Sequence, residues 1–476
     1  MSKKIFITTA IDYTNDVIHI GHAYEKILAD VFARFQRNLL GNDNIHYTTG
    51  TDEHGTTSQK AAEKNNVSCM DLVTKIYKED KEQIDSLNIS YDRFIRTTDE
   101  DHKKQALDFF KKVFDNGDIY KAKYEGYYCE GCEAHKTLSE LNEKGQCPNH
   151  PTREIQKLDE ENYFFRWSKY TRFLKDLIIG NTLVVLPEGK RKEMVAFLDN
   201  GLKDITVSRP KYKVSWGITT PIDENQVIYV WFDALINYLT EGIEKGFWDK
   251  DTEIIHFVGK DIARWHALLW PAMLKSAGYK VPDLIYIHGF INLNGQKISK
   301  SLGNVIRPTE LVSQFGVDAV RYYLLKYGPI VEDSDISLDN FISIYNGELA
   351  NGLGNTVSRI AKLASISEFD FAEYSDPQNV WEKINKKDID EFRIDKILSQ
   401  IWKNLSELDH HINEHQPWGI KDQEKLKDIL SYEVHEVRKI ASAIKPIMPD
   451  IYVKISKAFF SGKIQVSDIL FPRISG

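Results

Sequence analysis

No apolar run in this sequence comes near the about 20 residues that a membrane-spanning helix requires; the longest lies around Trp265 to Leu274. An integral membrane protein is not expected. Lys3 and Lys4 precede only the short run Ile5 to Ile11 before Asp12 intervenes. Neither a secretory signal nor an Arg-rich transit segment is therefore expected, and the expected location is the cytoplasm. Low-complexity tracts are missing as well. Hydrophobic residues make up 42% and charged residues 28% of the chain, which excludes wholesale disorder. Nor does charge of one sign dominate. With 62 basic and 70 acidic residues the net charge is -8, which argues against a protein that coats nucleic acid non-specifically but leaves room for a local basic face. At about 150 residues per domain, 476 residues predict roughly three domains.

Cysteine is scarce, and its placement is informative. Of four, Cys129, Cys132 and Cys147 share one short window, while Cys69 lies far away on a polar, helix-like stretch. A disulfide framework is not expected. The window reads Cys129-Glu-Gly-Cys132, fourteen residues, then Cys147-Pro-Asn-His150, which is the knuckle spacing of a tetrahedral zinc site. Thiolates in a reducing compartment need a metal to be stable as anions. The alternative is ordinary buried thiols. Four protein ligands leave no open position, so the expected Zn2+ is structural, one ion per chain.

Along the chain, Lys4 to Ile11 reads as a buried strand, followed by a turn and then His19-Ile20-Gly21-His22 opening a long helix. Ile27, Val31, Phe35 and Leu39 recur every four positions, and Gly41 supplies the stop. Ile45 to Thr49 reads as a second strand with the polar cluster Gly50 to Gly55 at its carboxyl end, the place where doubly wound sheets bind ligands. From about Gly117 to Asn225 the pattern reads as an insertion. Strands are expected again at Val227 to Phe232 and Ile254 to Val258, so the parallel sheet is split. Beyond about Asn340 helical periodicity takes over: Ile394, Ile397, Ile401, Leu405, Leu408 and Ile412 mark one helix, and Leu426, Leu430, Val434, Val437, Ala441 and Ile444 another. The expected fold is α/β, a Rossmann-type doubly wound parallel sheet split by a zinc-binding insertion and followed by an all-α bundle.

Two motifs carry chemistry. Histidine, spacer, glycine, histidine at a strand-to-helix turn sets two imidazoles beside a helix N-terminus, which favours phosphate. The plainer alternative is that His19 and His22 cap the helix. About 275 residues later comes Gly295-Gln-Lys297-Ile298-Ser299-Lys300-Ser301-Leu302-Gly303, a glycine-bounded loop whose two lysines suit a triphosphate, or else a solvated turn.

Together these resemble the two signatures of class I aminoacyl-tRNA synthetases, and the whole chain resembles the methionyl-tRNA synthetase family. The supporting landmarks are Thr8 to Tyr13 with Asn15, Gly50 to Gly55, Tyr229 to Ala234, Phe257 to Ile262 and Trp265-His266. The resemblance implies a methionine-tRNA ligase that forms methionyl-adenylate from L-methionine and ATP and transfers methionine to the 3′-terminal adenosine of tRNA(Met). It implies catalytic roles for His19, His22, Lys297 and Lys300, and ATP binding by these with Gly21, Gly259, Asp261 and Ser299. It implies a methionine pocket of Ile11, Tyr13, Asp52, Trp231, Ala234, Leu235, Tyr238, Ile262, Trp265 and His266. It places the zinc ligands Cys129, Cys132, Cys147 and His150 in a connective insertion, and anticodon reading on Asn355, Arg359 and Trp418. Mg2+ is expected with ATP.

Three positions depart from the family pattern. Ile298 stands where Met is usual, Asp12 precedes the binding-loop tyrosine, and Trp265 replaces a frequent Phe and so could reshape the pocket. The implied division is 1-116 and 227-294 for the halves of the catalytic domain, 117-226 for the insertion, 295-345 for the lysine-loop and stem-contact region, and 346-476 for the helical domain. Valyl, isoleucyl and leucyl relatives carry a longer editing insertion than the roughly 110 residues here. A cysteinyl enzyme needs an open zinc. A nucleotidylyltransferase has no use for the helical tail, and a catalytically dead RNA-binding relative is opposed by the intact His19, His22, Lys297 and Lys300. A monomer without membrane contact is expected.

Overall fold

A computed structural model describes residues 3-129, 134-136, 138-148, 154-298, 304-466 and 468-474. The chain forms two compact units. The first comprises Met1–Ile18, Asn44–Glu82 and Tyr91–Ile287; the second comprises His19–Asp43, Gln83–Ser90 and His288–Gly476.

The first unit is organised around a parallel sheet. Strand β1 (Lys4–Thr9) lies between β2 (Ile45–Asp52) and β3 (Thr252–Gly259), with β4 (Leu284–His288) and then Val184–Leu186 beyond, and Arg93–Arg96 on the far side of β2. Ile5 to Thr9 are all buried, as expected of a strand covered on both faces, which reads as a continuous run rather than an alternation. The register runs from Lys4 opposite Thr252 to Thr9 opposite Phe257. Pairing of β2 with Arg93–Arg96 is so close at Gly50 that a Cβ there would stand 2.0 Å from the Ile95 carbonyl oxygen.

Three differences from the sequence reading concern this sheet. β2 runs through Asp52, so Gly50, Thr51 and Asp52 belong to the strand end rather than following it. Val227 to Phe232 is not a strand of the parallel sheet. Val227 and Ile228 close an antiparallel strand (Asp223–Ile228) of a separate three-stranded sheet, and Val230–Ala234 is a helical turn. A short apolar run fits a buried helix segment as well as a strand, and periodicity alone does not separate them. Val184–Leu186, inside the span read as an insertion, pairs in parallel with Leu284–Tyr286.

The remainder of that span includes a four-stranded antiparallel sheet built on the long hairpin of Ile119–Cys129 and Ile155–Phe165. Cys129 ends its strand opposite Ala134 and Ile155.

The second unit holds helix α1 (Ile20–Leu40) and the helices of the C-terminal third, among them α2 (Asn355–Ile366), α3 (Ile394–His415) and α4 (Gln423–Ile444). Ile394, Ile397, Ile401, Leu405, Leu408 and Ile412 are all buried on α3, the stripe that their spacing predicts. Gly41 stops α1 with φ 87°. Inside this unit Asp30 of α1 and Arg321 form a fully buried ion pair at 2.7 Å. Arg321 also donates to the carbonyls of Leu87, Pro446 and Ile447, so few of its protons are left without acceptors.

Candidate functional site

In the first unit the residues expected around methionine gather at the carboxyl ends of β1, β2 and β3. Asp52 is buried at the end of β2 and pairs in register with Tyr13. Tyr13 meets the Trp231 ring edge-on at 6.2 Å. Trp265 lies nearly parallel to Trp231 at 5.0 Å and to Trp167 at 6.5 Å. The large indole at 265 thus stands within a row of three, and Trp167, which the sequence analysis did not single out, holds its outer end by donating Nε1–H to the Leu268 carbonyl. Leu235 and Ile262 join the same apolar cluster, Ala234 is buried on the helical turn, and Ile11 is half-buried.

Behind the rings runs a polar chain. His266 Nδ1 lies 3.1 Å from the Ile262 carbonyl, which can only accept, so Nδ1 carries a proton, and Nε2 lies 2.8 Å from the Tyr238 hydroxyl. Tyr238 packs on His256 at 4.5 Å, and His256 Nδ1 meets Thr8 Oγ1 at 2.5 Å. Burial first, then the nearby His266, holds His256 well below its ordinary value, so it is neutral. A single π-helical turn, Trp265–Leu269, carries both Trp265 and His266 toward this pocket. Gly259 ends β3 and Asp261 is exposed just beyond it.

Two acidic residues brace these walls. Glu53 is buried and accepts Arg96 Nε–H at 2.7 Å and Thr98 Oγ1–H at 2.5 Å. Asp233 is buried between His54 Nδ1 and His102 Nε2, each at 2.7 Å. Burial pushes its carboxyl up, but the charges of the two imidazoles and their hydrogen bonds outweigh that and set it at about 2. Both residues lie inside stretches singled out as landmarks, Gly50 to Gly55 and Tyr229 to Ala234. Their roles were not legible there, because Arg96, Thr98 and His102 come from elsewhere in the chain.

In the second unit, His19 and His22 open α1. Gly21 N–H donates to His19 Nδ1 at 3.0 Å and His19 N–H to His22 Nδ1 at 3.2 Å, and the two rings lie 4.1 Å apart. The capping alternative and the phosphate reading are compatible. With both Nδ1 atoms accepting, a neutral ring carries its proton on Nε2. Gly21 is needed for the caps themselves, since a Cβ there would meet His19 Cε1 at 2.8 Å. Ile20 N–H donates to the Ile306 carbonyl at 3.1 Å, joining the start of α1 to the chain that leaves the lysine loop.

That loop begins from a two-residue hairpin. Asn294 (φ 51°) and Gly295 (φ 75°) turn Ile291–Leu293 back onto Gln296–Lys297. This Asn-Gly pair is a strong short-range hairpin signal that the sequence reading passed over. Ile298 is buried, an apolar setting that Met fills equally well. Ser299 and Lys300, the side chain of Lys297, and Cys132 and His150 lie outside the described residues. Of the expected zinc ligands, Cys129 and Cys147 are buried and form no disulfide. Among the described residues no three His, Cys, Asp or Glu side chains gather as a metal site.

Also in the second unit, Asn355 and Arg359 share one face of α2. Arg359 donates to Asp409 and Asn413 of α3, each at 3.0 Å, and its guanidinium lies 5.5 Å from the Trp418 ring. Trp418, in the turn Pro417–Gly419 between α3 and α4, is 55% exposed. Nearby, Glu433 is buried against His411 Nδ1 at 3.2 Å. Burial pushes its carboxyl up to about 7, although the Arg359 charge acts the other way.

A family model described as tRNA synthetases class I (M) matches residues 5–157 and 150–361. The methionine–tRNA ligase of Caldanaerobacter subterraneus subsp. tengcongensis is 40% identical, over 94% of this chain and 73% of that protein. The methionine–tRNA ligase of Clostridium tetani is 38% identical, over 100% of this chain and 79% of that protein. The crystal structure of Mycobacterium tuberculosis methionyl-tRNA synthetase bound by methionyl-adenylate is similar with a TM-score of 0.90 and 31% identity, over 99% of this chain and all of that one. No described helix is long and apolar enough to cross a membrane.

Proposed function

Since this chain belongs to the methionyl-tRNA synthetases of class I, a ligase family that activates methionine with ATP and charges tRNA, we propose which of its residues carry the two steps. In the first step the methionine carboxylate attacks the α-phosphorus of ATP. A carboxylate–phosphorus bond forms, the bond to the β-phosphate bridge breaks, and pyrophosphate leaves. No side-chain nucleophile is needed; positioning and charge stabilisation do the work. His19 and His22 donate from Nε2 to the phosphates at the N-terminus of α1. Lys297, Ser299 and Lys300 close on the departing pyrophosphate, while Gly21, Gly259 and Asp261 receive the nucleoside. Magnesium, held mainly by the phosphates, supplies further neutralisation when bound.

Asp52 pairs with the substrate ammonium. The thioether lies among Ile11, Tyr13, Trp231, Ala234, Leu235, Tyr238, Ile262, Trp265 and His266, where aromatic edges favour sulfur. In the second step the terminal ribose hydroxyl of tRNA(Met) attacks the methionyl carbonyl and AMP leaves. Asn355, Arg359 and Trp418 read the anticodon.

The residues at Cys129, Cys132, Cys147 and His150 suit zinc by donor chemistry, and the burial of Cys129 and Cys147 without a disulfide supports that reading. We place the connective insertion at 117-226 and the helical reader at 346-476, in a cytoplasmic monomer. The observation that carries these assignments is the pair of Nδ1-accepting imidazoles at the start of α1, tied to the chain beyond the lysine loop. Lys300→Ala tests them. It is expected to slow methionine-dependent pyrophosphate exchange at least about a hundredfold with methionine affinity little changed, as for loss of a contact made in the transition state. Wild-type exchange would remove Lys300 from the mechanism.

A further inference from the structure

Inside the second unit, a buried polar cluster that the proposed chemistry does not use ties the base of the lysine-loop hairpin to α1. His288 ends β4 and stands three residues before the first hairpin strand, Ile291–Leu293; Glu25 and Lys26 lie on α1, one turn beyond His22. All three are buried. His288 Nε2 lies 3.1 Å from Glu25 Oε2, and Lys26 Nζ lies 3.3 Å from Glu25 Oε1. His288 Nδ1 donates to the Gly289 carbonyl at 2.8 Å, since a carbonyl can only accept. The Tyr24 ring meets the imidazole edge-on at 5.3 Å. The contact between Nε2 and Oε2 holds one proton, so both nitrogens of the imidazole are fixed in direction.

Such a cluster is costly to bury. Its desolvation is offset only by close pairing, and apolar side chains of the same size would hold two elements together at least as well. What polar atoms add is direction. The hairpin has other support for its own fold: Ile291–Leu293 pairs in parallel with Ser334–Ile336, Phe290 N–H donates to Asp333 at 2.9 Å, and Gly295 N–H donates to Asp335 at 2.7 Å. None of these contacts reaches α1. The Glu25–His288 contact does, on the face of the helix that carries His22, three residues and about 4.5 Å earlier along the axis. Beyond the loop, the Ile306 carbonyl accepts from Ile20 N–H at 3.1 Å. The stretch from 288 to 306 is thus attached at both ends to the first two turns of α1.

We propose that His288 is a positioning residue for adenylate formation: bonded to Glu25, it fixes where the hairpin lies on α1, so that Lys297 acts on the phosphates that His19 and His22 receive. The proposal rests on the roles assigned above to those two histidines and that lysine.

Methionine-dependent pyrophosphate exchange by the full chain tests it. His288→Ala is expected to lower kcat about tenfold or more, the scale on which small misplacements act, with KM for methionine within about twofold of wild type. His288→Gln sets an amide N–H in the place of Nε2 and is expected to recover kcat to within about threefold of wild type. The decisive comparison is made in a Lys297→Ala background, where a residue that acts through Lys297 has nothing left to position. Adding His288→Ala there is expected to change kcat by less than about twofold. His288→Phe, which fills the volume and bonds to neither partner, is carried through the same cycle, so the test does not depend on the folding of one variant. The full loss repeated in the Lys297→Ala background would overturn the proposal, by making the histidine a support of the fold. Wild-type kcat in His288→Ala and His288→Phe would overturn it as well. Wild-type exchange by Lys297→Ala alone would overturn the lysine's role and this proposal but leave the ligase reading standing, whereas no methionine-dependent exchange by wild-type protein would overturn all three.

Discussion

Glu433 shows how much one side chain owes to its surroundings. A glutamate on a predominantly polar helix reads as a solvated residue, yet here it is buried against His411 and ionises at about 7 rather than 4.5. Between those two values the folded chain keeps a proton that the unfolded chain has lost. Stability therefore falls as pH rises through that window, and the penalty is complete above about 7. Glu433→Gln is expected to raise the melting temperature by a few degrees at pH 8 and to leave it unchanged near pH 4, as read by paired thermal melts. An equal shift at both values would show that the carboxyl is not held neutral by burial. The two histidines at the start of α1 were legible as a helix boundary, because a helix start preceded by a buried strand is a local pattern. What they do with their nitrogens was not. That depends on which backbone N–H groups meet Nδ1, which puts the proton of a neutral ring on Nε2.

Elements were legible where periodicity is long and illegible where it is short. α3 follows from six apolar residues on one stripe, whereas the five residues of Val230–Ala234 carry too little pattern to separate a helical turn from a strand end. The turn between α3 and α4 illustrates what an element adds. Gln416 in a left-handed conformation (φ 44°) ends α3, Pro417 follows, and Trp418 is left 55% exposed near Arg359. Stacking on a base at such a site contributes about 1 to 3 kcal/mol. Trp418→Ala is thus expected to cut charging of tRNA bearing the anticodon CAU by roughly fivefold to a hundredfold, with RNA-free pyrophosphate exchange nearly intact. Equal loss in both assays would make the ring a structural support. The hairpin that ends at Cys129 belongs to the same scale. About one zinc per chain is expected to co-purify, and Cys147→Ser is expected to release it and loosen the hairpin without abolishing adenylate formation. Freshly purified protein free of zinc would refute the site.

At the scale of the whole molecule the chain does not divide in the order in which it is written. Residues 19-43 and 83-90 group with everything beyond 288, and within that unit Asp30 reaches Arg321 across nearly three hundred residues of sequence. Such a pairing leaves no trace in composition or spacing, which is why the long strands and helices were readable and the grouping was not. The central claim is nonetheless one about the molecule as a catalyst: the pocket of Tyr13, Asp52, Trp231, Tyr238, Trp265 and His266 and the two signature motifs serve one reaction with one amino acid. The direct measurement is pyrophosphate exchange into ATP with each of the twenty amino acids supplied singly. Exchange with methionine, at least about a hundredfold above every other amino acid, is the predicted result, since discrimination of that size is within reach of a shaped pocket. Exchange supported by a different amino acid, or by none, would contradict the account.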